Sequence, residues 1–249
     1  MSAPRLALSV AYLGGGFAGW QRQPDARTVQ GALEHALARL YRRPVRVVGA
    51  GRTDAGVHAD RQVAHFDPPL AIPGRGVAAA LNSLLPADVR VLAVRAVAPT
   101  FDARRSARGK RYRYRLAWGP SLPPWEGLRR WHLAYRLDPR AVASALALLP
   151  GEHDFGAFAL AGHAGRGARG TVRTVRSATA RLRGRRLDLA FEGDGFLRGM
   201  ARRLTGALVE IGRGAQPVEW LAALLADPRT RPPAPTAPPH GLTLERVFY

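Results

Sequence analysis

Two hydrophobic periods alternate along this chain, and their order constrains the fold more than any other feature. Residues 5–12, 61–67 and 89–97 alternate apolar and polar positions as half-buried strands do, and residues 45–48 read as a further short strand. Between them, Val29, Leu33, Leu37 and Leu40 recur at helical spacing behind Thr28, a residue suited to an N-cap. A second helical pattern over 76–85 carries Val77, Leu81, Leu84 and Leu85 and is stopped by Pro86. The resulting order, strand–helix–strand–strand–helix–strand, is the split βαβ or ferredoxin-like arrangement. The second half has a similar plan: a strand at 111–118, a helix around 139–149, and strands at 172–182 and 186–192 turned at Gly184. A long helix at 195–212, a short one at 217–226, a Pro-rich loop at 228–239 and a last strand at 242–249 complete it. The expectation is an α+β fold of two pseudo-repeated ferredoxin-like halves. Their mixed, mostly antiparallel sheet is flanked by helices around a basic central cleft. The polar segment Phe101–Lys110 is the joint, dividing residues 1–104 from 105–249.

Such a chain must be held by its core, because it contains no cysteine in 249 residues. That excludes a disulfide scaffold, a thiol nucleophile and a thiolate metal site. No stretch approaches the roughly 18 apolar residues of a membrane span. The N-terminal segment runs directly into strand-like sequence and does not read as a signal peptide. A soluble cytoplasmic protein with no membrane partner is expected. The charge is the other constraint. Thirty-eight basic residues against 18 acidic ones give a formal charge of +20, shared by both halves. An arginine-biased genome accounts for Lys110 being the sole lysine, but not for the scarcity of acids. A body of this kind attracts polyanions through its field and through counterion release, which points to nucleic acid.

One loop concentrates candidate chemistry. Gly49-Ala-Gly-Arg-Thr-Asp-Ala-Gly-Val-His-Ala59 is low in bulk and carries Arg52 beside Asp54. Small residues let backbone approach a ligand, and a carboxylate on a tight turn is held in place. The competing reading is an Asx-type turn in which Asp54 only caps its own backbone. The strand Arg111-Tyr-Arg-Tyr-Arg-Leu-Ala-Trp118 puts Tyr112, Tyr114, Leu116 and Trp118 on one face and Arg111, Arg113 and Arg115 on the other. Tyr114, Leu116 and Trp118 are core. Tyr112, at the entry end, either belongs to that core or stacks on a base. In the predicted helix from Phe196 to Ile211, Arg198 and Arg202 are i,i+4 neighbours on the polar side, either solvated or lining a groove.

Other motifs fail. The histidines lack metal-ligand spacing, so no metal is expected, and no P-loop, dinucleotide fingerprint or nucleophile elbow is present. Gly14-Gly-Gly16 reads as plain loop, and Gly-Glu-His-Asp-Phe155 as a helix-end turn.

The assembled residues resemble the bacterial tRNA pseudouridine synthase A family. The matching segments, in chain order, begin with Tyr12, Phe17-Ala-Gly-Trp-Gln-Arg-Gln23, Thr28-Val-Gln-Gly31 and Gly51-Arg-Thr-Asp-Ala-Gly-Val-His58. Leu81-Asn82, Leu85-Pro86, Arg111-Tyr-Arg-Tyr114 and His153-Asp-Phe155 follow. Phe196-Leu197 with Met200, Arg202 and Gly206, and then Ala237-Pro-Pro-His-Gly-Leu242, complete the set, covering essentially the whole chain. The resemblance implies a homodimeric, cofactor-free isomerase that converts uridine to pseudouridine at positions 38, 39 and 40 of the tRNA anticodon stem-loop. It places the essential aspartate on Asp54, the base-contacting tyrosine on Tyr112 and the aspartate-pairing arginine on Arg202. Arg52 takes the place of the residue that helps extrude the nucleotide. Arg22, Gln23, Arg105, Lys110, Arg111, Arg198 and Arg203 are further candidate RNA contacts. Arg198, Gly199 and Arg203 depart from the family pattern, as does the segment from Leu160 to Gly170, which lacks the family's cysteine.

Physical chemistry leads to the same mechanism. A uridine in a stem must leave the stack before its glycosidic bond is reached, at a cost of a few kcal/mol. Asp54 then acts as nucleophile or as base, and the residues leave both open. The alternative class is a non-catalytic RNA-binding module. A carboxylate that repels phosphate argues against it.

Overall fold

The computed structural model describes residues 3–160, 170–227 and 234–249. They pack as two units, Met1–Arg108 with Leu244–Tyr249, and Gly109–Thr243. In the first unit, strand β1 (Leu6–Tyr12) buries every second side chain, Leu6, Leu8, Val10 and Tyr12. Helix α1 (Val29–Tyr41) follows, its N-terminus closed by the Thr28 hydroxyl, which accepts from the Gly31 N–H. Val29, Leu33 and Leu37 are fully buried along its inner side. Then come β2 (Val48–Gly49), β3 (His58–Phe66), α2 (Gly74–Leu84) and β4 (Val89–Ala96). Laterally β1 lies between β4 and β3, with β2 on β3, and every one of these pairings is antiparallel.

The second unit begins with β5 (Gly109–Trp118), a short helix α3 (Pro124–Gly127), β6 (Trp131–Leu133) and α4 (Pro139–Leu146). It continues through β7 (Gly151–Asp154), β8 (Val172–Arg183), β9 (Arg186–Gly193), α5 (Met200–Gly212) and α6 (Val218–Ala226). Its strands run β5–β9–β8–β7, antiparallel throughout, while β6 joins β5 in parallel. The last strand, β10 (Leu242–Phe248), is divided between the units at Thr243. The expected alternation of β5 is present: Tyr112, Tyr114, Leu116 and Trp118 are buried and Arg111, Arg113 and Arg115 half-exposed. The fold class is therefore α+β with a mostly antiparallel sheet. Among the described residues no helix is long and apolar enough to cross a membrane.

Four local expectations are corrected. The strand at 45–48 is not formed until Val48, because α1 side chains take the backbone of Val47. Glu34 Oε1 accepts its N–H at 3.1 Å and Gln30 Nε2 donates to its carbonyl at 3.1 Å. The Gly151–Asp154 segment is strand β7, paired with Val172–Val175, and the turn chemistry starts one step later, where Asp154 caps the Gly156 N–H at 2.8 Å. The long helix begins at Met200 instead of 195. Gly199 has φ +74°, in the left-handed region, which no right-handed helix tolerates. Arg198 accordingly sits in the turn before α5, and Arg198 and Arg202 are not neighbours on a helix face. Of the departures noted from the sequence, residues 161–169 lie outside the described residues, as do 228–233 of the Pro-rich loop.

Candidate active site

Asp54 stands on a turn between β2 and β3, and the turn is held by the segment that follows β1. Gly14 to Gly16 form one 3-10 turn, and Gly56, at φ +79°, closes the Asp54 turn with Val57 N–H donating to the Asp54 carbonyl at 3.2 Å. The two stretches meet backbone to backbone. Trp20 N–H donates to the Thr53 carbonyl at 3.1 Å, and Gly56 N–H donates to the Phe17 carbonyl at 3.3 Å. The buried His58 accepts the Gly14 N–H through Nδ1 at 3.0 Å, so it holds the 14–16 turn as a neutral imidazole. A β-carbon on Gly19, whose φ is +102°, would stand 2.7 Å from the Thr53 carbonyl oxygen. Only glycine permits that approach. The Gly14–Trp20 segment is the wall against which Asp54's turn is built. Its sequence trace was Gly19 and the aromatic residues beside it, not Gly14-Gly-Gly16 itself. Asp54 is half-buried and Arg52 exposed.

This wall is itself anchored. Arg27 lies over the Phe17 ring, 4.0 Å from its centroid, and pairs with Asp88 at 2.8 Å. Gln30 of α1 accepts the Arg22 N–H at 3.0 Å, and its own N–H donates to the Trp20 carbonyl at 3.0 Å. The side chain of Arg22 is exposed and paired to Glu34, and Gln23 donates to the Ala18 carbonyl at 3.1 Å. Arg105 is exposed. Its N–H and that of Arg104 donate to Asp102, which holds the Asp102 carboxyl below its ordinary range.

In the second unit the candidate residues gather around β5 and α5. Tyr112 is buried, its ring edge-on to Phe196 with centroids 4.9 Å apart. Two positions on, Tyr114 is wholly buried and donates its hydroxyl to the Pro238 carbonyl at 2.7 Å. Burial pushes its phenol well above the ordinary range, and the Arg202 charge pulls the other way. Arg202 Nε donates to the Ala237 carbonyl at 2.7 Å, while Ala237 N–H donates to the Arg202 carbonyl at 3.2 Å. The Ala237–Gly241 segment is thus seated on α5 and β5. Gly206 lets the Pro235 carbonyl touch α5, and Gly241 lies against the Tyr114 ring, where a β-carbon would stand 2.5 Å from it. Arg203 donates to the carbonyls of Ala157, at 3.2 Å, and Ala159, at 2.8 Å. Arg111 pairs with its cross-strand neighbour Glu192 at 2.8 Å, Lys110 is half-buried, and Arg198 is exposed. Asp54, Arg52, Arg22, Gln23 and Arg105 therefore belong to the first unit, and Lys110, Arg111, Tyr112, Arg198, Arg202 and Arg203 to the second. Among the described residues no group of three His, Cys, Asp or Glu side chains is placed to hold a metal ion.

A family model described as tRNA pseudouridine synthase matches residues 8–104 and 145–249. The chain is 44% identical over 247 residues to the tRNA pseudouridine synthase A of Myxococcus xanthus, covering 99% of this chain and 92% of that protein. It is 47% identical over 253 residues to that of Solidesulfovibrio magneticus, covering 98% and 91%. It is 40% identical over 248 residues to the tRNA pseudouridine synthase A 1 of Desulfotalea psychrophila, covering 98% and 99%.

Proposed function

This chain belongs to the tRNA pseudouridine synthase family, a family of isomerases, and we propose that it converts uridine to pseudouridine at positions 38, 39 and 40 of the tRNA anticodon stem-loop, with Asp54 as its essential residue. The observation that carries the reading is the Asp54 turn. Half-buried Asp54 follows exposed Arg52 by two residues on a turn whose flanking residues Thr53 and Gly56 bond backbone to backbone with Trp20 and Phe17, an arrangement with far more support than an Asx turn requires. The +20 charge supplies attraction for the RNA and offsets the few kcal/mol of extruding the uridine. Arg52 assists that extrusion. Tyr112 and Arg202 are the substrate-binding residues of the second unit, and Arg22, Gln23, Arg105, Lys110, Arg111, Arg198 and Arg203 are further candidate RNA contacts. In the reaction the glycosidic C–N bond breaks and the base is rejoined to the ribose through its C5. The hydrogen of C5 leaves as a proton and the freed ring nitrogen gains one. The proton lost from C5 is matched by the one gained at nitrogen, so the composition of uridine is unchanged and the isomerisation consumes no oxidant and no co-substrate. Asp54 serves it as nucleophile toward the sugar or as base.

The two units also support the duplicated plan. In the first, a strand, a helix, two hairpin strands and a helix place β1 beside β3 and β3 beside β2. In the second, β5, α4, β8, β9 and α5 place β5 beside β9 and β9 beside β8. The working form is a cytoplasmic homodimer, which light scattering tests. A fully active monomer refutes it.

The decisive experiment is Asp54→Asn. Asparagine keeps the turn hydrogen bonds at similar volume, so the variant folds and binds tRNA at least as tightly as the parent. Tritium release from C5-labelled tRNA falls by about 10²-fold to 10⁴-fold or more, because an amide neither attacks carbon nor takes a proton. Near-parental release from a folded, tRNA-bound variant overturns the role of Asp54. Mass mapping that finds pseudouridine nowhere in the anticodon arm overturns the substrate position.

A further inference from the structure

The face of β1 that points into the first unit is apolar at Leu6, Leu8 and Val10 and becomes polar only at Tyr12, the position nearest the Asp54 turn. The β1–β3 register shifts between Val10 and Tyr12 with the extra residue on β3, while the β1 alternation continues and turns Tyr12 to the same buried face as Val10. Its hydroxyl lies 2.9 Å from Thr53 Oγ1. Gln62, wholly buried on β3 opposite Val10, donates from Nε2 to the Gly51 carbonyl at 3.0 Å and accepts the Val63 N–H through Oε1 at 3.1 Å. Three buried polar side chains therefore hold the chain on the N-terminal side of Asp54: Tyr12 and Thr53 through one another, and Gln62 through the Gly51 carbonyl. Thr53, the residue directly before Asp54, is held twice: by its hydroxyl from below and by its carbonyl, which accepts from Trp20 N–H. A core that needed only to fill this space would use apolar side chains, because each buried polar group costs free energy unless fully paired.

We infer that Tyr12, Thr53 and Gln62 are positioning residues that fix where the Asp54 carboxylate stands, without touching the substrate themselves. The inference rests on the assignment of Asp54 as the essential residue. A displacement of about 1 Å at a reacting group can cost about a hundredfold in rate. Loss of the Tyr12–Thr53 hydrogen bond therefore lowers kcat by about tenfold or more while leaving KM and tRNA affinity at the parental values.

The test is a mutant cycle on the full-length protein, with turnover per folded molecule and tRNA binding both measured. Tyr12→Phe keeps the ring and Thr53→Val keeps the shape, and each removes one hydroxyl. Both lower kcat without moving KM. The double variant is no worse than the poorer single one, since both break the same contact. Thr53→Ser restores kcat to within about twofold of the parent, because it returns the hydroxyl. Parental kcat in folded Tyr12→Phe overturns the inference. So does a kcat loss matched by a loss of tRNA affinity, or a Thr53→Ser variant as slow as Thr53→Val. Asp54→Asn, assayed alongside, separates the two failures. If it is inactive while Tyr12→Phe runs at the parental rate, only the positioning role falls. If Asp54→Asn is itself active, the assignment of Asp54 falls and the positioning role with it.

Discussion

The Asp54 turn and the Ala237–Gly241 segment combine the same two devices, close backbone approach and polar side chains, in different ways. Around Asp54 backbone meets backbone directly: Gly19 lies against Thr53, and Trp20 N–H reaches the Thr53 carbonyl. Around Ala237–Gly241, long side chains reach out to carbonyls, from Arg202 to Ala237 and from Tyr114 to Pro238. The first device tolerates no added atom, because a β-carbon would overlap fixed backbone. The second depends on donors, because removing one leaves a carbonyl without its partner. The comparison teaches that the backbone contact which added bulk would break falls on Thr53, next to Asp54, whereas in the second unit side-chain donors hold the carbonyls of Ala237 and Pro238.

Gly19→Val is the strongest way to break the contrast. Its φ of +102° excludes a β-branched residue and the added carbon meets the Thr53 carbonyl, so stability falls by about 2–3 kcal/mol and turnover falls with it. Gly15→Ala is the control: nothing lies within 4 Å of the added carbon, so thermal melting shifts by no more than about 0.5 kcal/mol equivalent. Equal losses in the two variants would show that bulk in this segment is not what matters. In the second unit Tyr114→Phe adds no bulk and removes one donor. It costs about 1–2 kcal/mol in denaturant unfolding, and a neutral result would mean the Pro238 carbonyl finds another partner.

The smallest effect concerns pH, in the first unit. His65 Nδ1 accepts the Ala103 N–H at 3.0 Å, which only the neutral ring can do. Burial lowers its pKa, the Arg5 charge lowers it further, and Asp102 and Asp67 oppose them. Both carboxylates are themselves held below their ordinary range, so they stay ionised while His65 titrates. The unfolded chain thus takes up the proton first, near pH 6.5. The contribution is fully present above that pH and is lost as pH falls through the lower folded value. Melting temperature should therefore drop between pH 7.5 and 5.5, and His65→Gln should flatten that part of the profile. An unchanged slope would show that His65 does not titrate in that window.

Particular elements show how much the sequence disclosed. The Thr28 cap, the buried side of α1 and the alternation of β5 follow from spacing alone, because each is decided by the two periods and a local hydrogen bond. The Asp54 run was conspicuous for its low bulk beside a single acid and a single arginine. What bulk does not disclose is which distant segment the small residues make room for, and so the role of Gly14–Trp20 stayed hidden. The start of α5 differs from the sequence expectation for a related reason. Apolar spacing continues back to Phe196, but Gly199 turns left-handed where Leu160 docks on the Arg198 carbonyl at 2.9 Å.

The sequence by itself determined the α+β class, the order of most strands and helices, the excess of positive charge and the family. These depend on periodicity, composition and residue-by-residue identity, all written along the chain. Only the tertiary structure decided that Val47 gives its backbone to Gln30 and Glu34, that Gly151–Asp154 becomes a strand, that Tyr12 meets Thr53 and that Gln62 takes the Gly51 carbonyl. Each of those depends on a partner many residues away. A buried N–H, carbonyl or hydroxyl must be paired, and local sequence does not record which distant group will pair it.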